Sequence, residues 1–116
     1  MKSLLFPKNE RLLNRKDFVN LNRLGKRYHT EHFTVIFKEN GLGISRLGIT
    51  VSKKIGKAVK RNKVKRLLRE FFRLNKKRFP KGFDVIVVAN KGADGLIFWK
   101  IQEELGEIAL NEQLCL

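Results

Sequence analysis

Residues 46–72 read RLGITVSKKIGKAVKRNKVKRLLREFF, and this stretch contains a strand followed by a strongly basic helix. Between residues 46 and 52, apolar Leu47, Ile49 and Val51 alternate with small residues, which is the period of a half-buried strand. From about residue 57 to 77, apolar residues recur at helical spacing and form one stripe: Val64, Leu67, Leu68, Phe71 and Phe72. The pattern predicts a helix that packs on a sheet through this stripe.

The opposite side of the same helix is cationic. On a wheel at ~100° per residue, Asn62, Arg66, Arg69 and Arg73 lie opposite Val64, with lysines on both flanks. Residues 53–81 contain fourteen Lys and Arg but only one acid, Glu70, so salt bridges along the helix cannot neutralise them. Because Arg matches phosphate with a planar fork of donors, we predict a surface that binds nucleic acid.

The flanking segments predict further helices and strands. A short helix runs from 14 to 23 and ends at Gly25, and a β run covers 32–38. An almost wholly apolar strand covers 84–89, and a last helix begins at Asp94, with Trp99 packed in the core or between helices. The order is α-β-β-α-β-α, with room for another short strand. Residues 1–11 are predicted to be an irregular arm. The fold class is therefore α+β, a small sandwich of helices on a sheet.

Composition limits the function classes. The chain has 116 residues, a formal charge of +15 and 42% hydrophobic residues, which fits one domain over residues 1–116 with a polyanionic partner. The single Cys115 excludes an internal disulfide and a cysteine zinc site. No apolar run approaches the ~20 residues of a membrane span, so we expect a soluble, cytoplasmic protein with no membrane partner.

Few groups are suited to catalysis. His29 and His32 are the only histidines, and three glutamates cluster in the last helix: Glu103, Glu104 and Glu107. Without further support for an acid–base pair or a metal site, we predict neither catalytic nor metal-binding residues in the protein. The residues alone leave open a structural RNA-binding protein of the ribosomal type and a protein nuclease acting through these groups. A DNA-binding protein is least favoured, since no dimerising element is evident.

The stretch from 46 to 72 resembles the protein component of bacterial ribonuclease P. The resemblance rests on Gly-x-Thr-Val-Ser-Lys-Lys from Gly48 to Lys54, and on Ala-x-x-Arg-Asn-Lys-x-Lys-Arg-x-x-Arg-Glu from Ala58 to Glu70. It implies a central mixed sheet of about four strands with three helices, in the order α-β-β-β-α-β-α. It also implies an auxiliary subunit of an endoribonuclease whose RNA is the catalyst, with Mg²⁺ held mainly by the RNA subunit and the substrate.

The resemblance further implies the partners and the residues that bind them. The partners are the ribonuclease P RNA subunit and precursor tRNA, whose 5′ leader is removed. The RNA-binding residues are Lys53, Lys54, Arg61, Asn62, Lys63, Lys65, Arg66 and Arg69, to which the wheel adds Arg73. The leader-binding cleft is formed by Phe18, Thr34, Ile36 and Val87. Asn22 and Ile36 stand where many family members carry aromatic residues.

Overall fold

Three helices and four strands make up the computed structural model, which describes residues 11, 15–75, 78–79 and 81–109. The helices are α1 (Arg15–Leu24), α2 (Ala58–Asn75) and α3 (Phe98–Ala109). The strands are β1 (Lys26–His29), β2 (Phe33–Glu39), β3 (Arg46–Val51) and β4 (Phe83–Ala89). Short 3₁₀ turns, Lys53–Ile55 and Ala93–Gly95, precede α2 and α3. The α+β class, the four-stranded sheet and the three helices are confirmed.

The strands form one mixed sheet in the order β1-β2-β4-β3. β2 pairs antiparallel with both β1 and β4, whereas β3 pairs parallel with β4. A parallel pair needs a crossover connection, and α2 supplies it between β3 and β4. The central strand β4 is apolar on both faces, as predicted, because helices cover both sides of the sheet.

The main core lies between the sheet and the pair α2 and α3. The sheet contributes alternate residues of β2 and β4, such as Phe33, Val35 and Val85, all with no exposed surface. Four residues of the predicted stripe on α2 are buried in this core: Val64, Leu68, Phe71 and Phe72. The docking of α2 by its apolar stripe is therefore confirmed.

A smaller core lies on the other face of the sheet, beneath α1. Leu21 of α1 packs against Ile36 and Ile86, and all three are at most 1% exposed. Gly25 allows this close approach, since a Cβ at that position would lie 2.6 Å from Cγ2 of Ile36. The end of α1 at this glycine thus sets how tightly the helix meets the sheet.

Two boundaries differ from the sequence prediction. β1 is a separate strand of four residues, which the residue pattern allowed for only as room for a short strand. The last helix begins at Phe98 instead of Asp94, because residues 93–95 form the 3₁₀ turn. Of the predicted arm at 1–11 only Arg11 falls within the described residues, where it bridges Leu47. No helix in the described part of the chain is long and apolar enough to cross a membrane.

Candidate nucleic-acid interface

The solvent side of α2 and the turn before it carry the predicted RNA-binding residues, which we call the basic surface. Ser52 caps the 3₁₀ turn by accepting a hydrogen bond from the Lys54 N–H at 3.1 Å. This cap presents Lys53 and Lys54 as exposed side chains at the edge of the sheet. The members of the basic surface are Lys53, Lys54, Arg61, Asn62, Lys63, Lys65, Arg66, Arg69 and Arg73.

Arg66 and Arg69 lie at the centre of the basic surface. Both side chains are exposed, as is that of Asn62. No ion pair joins either arginine to a carboxylate within the described ranges, and the first turn of α2 contains no acid. The guanidinium groups therefore remain available to an external anion.

Four other members of the basic surface have partners inside the protein or are partly covered, whereas Lys53 and Lys54 are exposed. Arg73 pairs with Glu70, its Nε lying 3.2 Å from the carboxylate, so its charge is offset. Lys63 Nζ donates to the backbone carbonyl of Asp94 at 3.2 Å. Lys65 and Arg61 are half-buried. The Nε of Arg61 is buried with no hydrogen-bond partner among the described atoms, which is costly unless a ligand or water supplies one.

A second surface lies on the sheet face that α1 partly covers, which we call the α1 face. The strand register aligns His29, Thr34, Val88 and Thr50 in one row across all four strands. His29 and Thr50 are exposed and Val88 is half-buried. The Thr34 hydroxyl lies 3.1 Å from Nδ1 of His29 and accepts a hydrogen bond from the Asn90 amide at 3.3 Å.

The predicted cleft residues are only partly brought together. Thr34 and Ile36 share the α1 face, but Val87 points into the main core on the opposite face and is 2% exposed. Val87 therefore does not share the α1 face with them, and the residue of β4 that lies beside Thr34 on this face is its register partner Val88. Ile36 is fully buried beneath α1, so it supports the α1 face from below instead of lining it. Phe18 lies on α1, and its side chain is outside the described residues.

Glu104 of α3 is hydrogen-bonded to the turn between β1 and β2. Its carboxylate accepts hydrogen bonds from the Thr30 hydroxyl, the His32 backbone N–H at 2.7 Å and the His32 ring at 2.8 Å. Burial alone would raise the pKa of Glu104, but the hydrogen bonds from His32 and Thr30 outweigh it and hold the pKa below its ordinary value. The sequence suggested His32 only as half of a histidine acid–base pair and Glu104 only as part of a glutamate metal site. The structure instead pairs these two residues with each other.

The donors around this turn do not fit Mg²⁺. Glu31, His32 and Glu104 place one ligand atom each within 4.8 Å of one another, beside an open cavity of about 620 Å³. Mg²⁺ prefers a set of oxygen ligands, whereas this group includes an imidazole. Both Glu104 oxygens are already engaged by the turn. We therefore assign this group of three residues a role in stabilising the fold and no role in catalysis.

A small mixed sheet with an outward-facing basic helix defines a nucleic-acid-binding domain of the α+β class. Residues 6–112 match the family model of ribonuclease P. The chain is 45% identical over 112 residues to the ribonuclease P protein component of Syntrophus aciditrophicus, covering 97% of this chain and 94% of the relative. The chain belongs to the ribonuclease P protein family, and so it is the protein subunit of an endoribonuclease that processes tRNA.

Solved structures agree with this assignment. The ribonuclease P protein from Thermotoga maritima superposes with a TM-score of 0.79 at 44% identity, covering 86% of this chain and 94% of that one. The Staphylococcus aureus protein superposes with a TM-score of 0.80 at 33% identity, covering 88% of this chain and 98% of that one. The similarity thus extends over nearly the full length of these proteins, and the ribosomal type of RNA binder is set aside.

Proposed function

We propose that this chain assists removal of the 5′ leader from precursor tRNA through two separate surfaces. The basic surface of α2 binds the RNA subunit, and the α1 face contacts the single-stranded leader. In this proposal the RNA subunit performs the hydrolysis with Mg²⁺ that it and the substrate hold, and the group formed by Glu31, His32 and Glu104 takes no part in it. We place this activity in the cytoplasm, where the sequence predicted it.

The proposal rests on Arg66 and Arg69, which are exposed and have no carboxylate partner among the described residues. Like charges crowded on one surface cost stability unless a counter-charge is bound. Lys53, Lys54 and Lys57 add to this cost, since they precede the N-terminus of α2, the positive end of its dipole. A phosphate bound here would relieve both repulsions, which supports RNA as the partner.

The two sides of the sheet separate the two RNA contacts. α2 covers the face with the main core, and its cations point away from the sheet on that side. The α1 face lies on the other side, and its open row is formed by two threonines, a valine and the imidazole of His29, with no Lys, Arg, Asp or Glu. A row of this kind suits the bases of an unpaired strand better than a duplex backbone. One protein can then hold the RNA subunit and the leader simultaneously.

The test of the first surface is the affinity for the RNA subunit in the absence of precursor tRNA. We expect Arg66→Ala and Arg69→Ala each to weaken binding by about three- to tenfold and to reduce the salt slope of log affinity by about one. For the unaltered protein, about six neutralised phosphates give a slope of about −4 to −5. Arg23→Ala, which removes an exposed cation from α1, is the control and should change neither quantity. Unchanged affinity in both α2 variants at matched salt would refute the role of the basic surface.

A further inference from the structure

Trp99 is exposed where the sequence predicted packing. It is the only tryptophan of the chain, and 72% of its surface is accessible at the start of α3. Its ring meets that of Phe98 edge-on, with the ring centroids 5.7 Å apart at 74°. Phe98 itself packs against the main core, so it braces the indole from one side. A fixed aromatic ring with an open face is a ready platform for stacking.

The direction of Trp99 follows from its neighbours on α3. Ile101 and Leu105 are fully buried and mark the side facing the core. Gln102 accepts a hydrogen bond from Nδ2 of Asn75 at 2.7 Å and marks the side facing α2. On a wheel at ~100° per residue, Trp99 lies about 60° from Gln102 and on the side away from Ile101. The indole therefore points to solvent on the flank of α3 nearer to α2.

Cations of α2 reach the start of α3. Lys63 Nζ donates to the Asp94 carbonyl at 3.2 Å, and Lys60 Nζ lies 3.8 Å from the Asp94 carboxylate. Asp94 is in the 3₁₀ turn that leads into α3, so these ammonium groups are held at the same end of the helix pair as Trp99. Glu103, one turn beyond Trp99, pairs with Lys100 at 3.6 Å, which offsets its charge. Asp94 offsets the charge of one of the two lysines, Lys60, whereas Lys63 contacts only a backbone carbonyl, so the surface beside the platform keeps a net positive charge.

We propose that Trp99 stacks on an unpaired nucleobase of the RNA subunit, while Lys60 and Lys63 neutralise the adjoining phosphates. Proteins that bind unpaired RNA combine an aromatic face with nearby cations in this way. The proposal rests on the proposed function, since it extends the basic surface from α2 onto α3. The RNA subunit is the source of the base because the leader is assigned to the α1 face, on the other side of the sheet.

Because Trp99 is the sole tryptophan, its fluorescence reports on the site directly in the unaltered chain. Titration with the RNA subunit, without precursor tRNA, should quench the Trp99 fluorescence in parallel with binding. A free leader oligonucleotide should leave the emission unchanged. Quenching by the leader and not by the RNA subunit, or an emission change with protein concentration alone, would overturn the proposal in favour of another occupant.

Substitutions at Trp99 distinguish a contribution of stacking to RNA binding from a contribution of charge. Trp99→Ala should weaken RNA-subunit binding about tenfold and leave the salt slope unchanged, because it removes no cation. Trp99→Phe keeps an aromatic ring and should retain most of the affinity. Leu42→Ala truncates another exposed apolar side chain, 54% accessible in the loop between β2 and β3, and should have no effect.

The two proposals fail in different ways. Unchanged affinity for Trp99→Ala, together with weakened binding by Arg66→Ala, would refute stacking and leave the proposed function standing. Unchanged affinity in both variants would refute the basic surface and the platform together. A reduced salt slope for Trp99→Ala would show that the substitution disturbs the lysines, which also contradicts a stacking role.

Discussion

Asp84 accepts three hydrogen bonds from two side chains on the α1 face. It is 9% exposed, and its carboxylate accepts hydrogen bonds from Arg46 Nε at 2.8 Å, Arg46 Nη2 at 2.7 Å and the Asn40 amide at 2.8 Å. The hydrogen bonds that Arg46 donates to the Asp84 carboxylate raise the pKa of Arg46 and outweigh the effect of its burial. The pair joins the adjacent strands β3 and β4, at the first residue of β3 and the second residue of β4.

Asp84→Ala should therefore destabilise the fold by about 3 kcal/mol, because it leaves a half-buried guanidinium without its bidentate partner. Urea unfolding at neutral pH measures this change. Asp17→Ala is the matched control, since Asp17 is more exposed and lies 3.5 Å from Nη1 of the same arginine. It should cost less than about 1 kcal/mol. Equal losses in the two variants would contradict the central role of Asp84.

Glu104 gives the stability of the fold a defined pH dependence. Its pKa is lower in the folded protein than in the unfolded chain, so its ionised form favours folding. This contribution is fully present above the unfolded pKa and is lost as pH falls through the folded pKa, from about pH 5 downward. Glu104→Gln should cost about 1–2 kcal/mol at pH 7, and the two unfolding curves should converge at acid pH.

Glu103→Gln makes the same chemical change one residue earlier, at a side chain that is 72% exposed. It should alter stability by less than about 0.5 kcal/mol at either pH. If Glu104→Gln and the unaltered chain kept a constant difference down to pH 3, the hydrogen-bonded carboxylate would not be the cause.

Two valines of β4 and Trp99 show which side-chain positions the sequence alone could not predict. Ile86, Val87 and Val88 are all apolar, so alternation could not tell which of them faces α1. Only the register with β2 shows that Val88 lies beside Thr34. Trp99 was misplaced for a related reason: a helical pattern identifies the buried side of α3 but not how far the core extends.

At the scale of elements, α2 was the most predictable part of the molecule. Its five-residue apolar stripe and its cations specify both the buried and the exposed side, and the structure places them so. β1 was harder to predict because Lys26–His29 is short, largely charged and at the edge of the sheet. The start of α3 was predicted too early because Asp94 and Gly95 initiate a 3₁₀ turn instead of the helix.

The α1 face yields a prediction about the leader. Val88 and Thr50 are the members of the open row contributed by β4 and β3. The double variant Val88→Ala, Thr50→Ala should weaken binding of a precursor tRNA with a leader by about three- to tenfold, which corresponds to about 1 kcal/mol for the two contacts together. Binding of the same tRNA without a leader should not change.

The holoenzyme assembled on the RNA subunit is the system for this measurement, with leader length varied. Leu42→Ala, which lies in the loop between β2 and β3, is again the control for loss of apolar surface. An equal loss for substrates with and without a leader would show that the α1 face contacts another part of the RNA.

At the scale of the whole molecule, opposite charges are separated between α2 and α3, the two helices that cover the same face of the sheet. α2 presents the exposed Arg66 and Arg69 to solvent, whereas the acids of α3 lie on its flank away from α2, around the turn that Glu104 contacts. This asymmetry orients the protein in the field of a polyanion. It also leaves the free protein with strong self-repulsion, because its formal charge is +15.

Self-repulsion predicts that salt stabilises the isolated protein. Screening shortens the Debye length from about 10 Å at 0.1 M to about 3 Å at 1 M, so repulsion among exposed lysines should fall and the Tm should rise by several degrees. Replacing Lys53, Lys54 and Lys57 by Gln should raise the Tm at low salt and reduce its salt dependence. The same positions changed to Arg keep the charge and should retain that dependence. A Tm that falls with salt would mean that attractive ion pairs, and not repulsion on the basic surface, dominate the electrostatics of the fold.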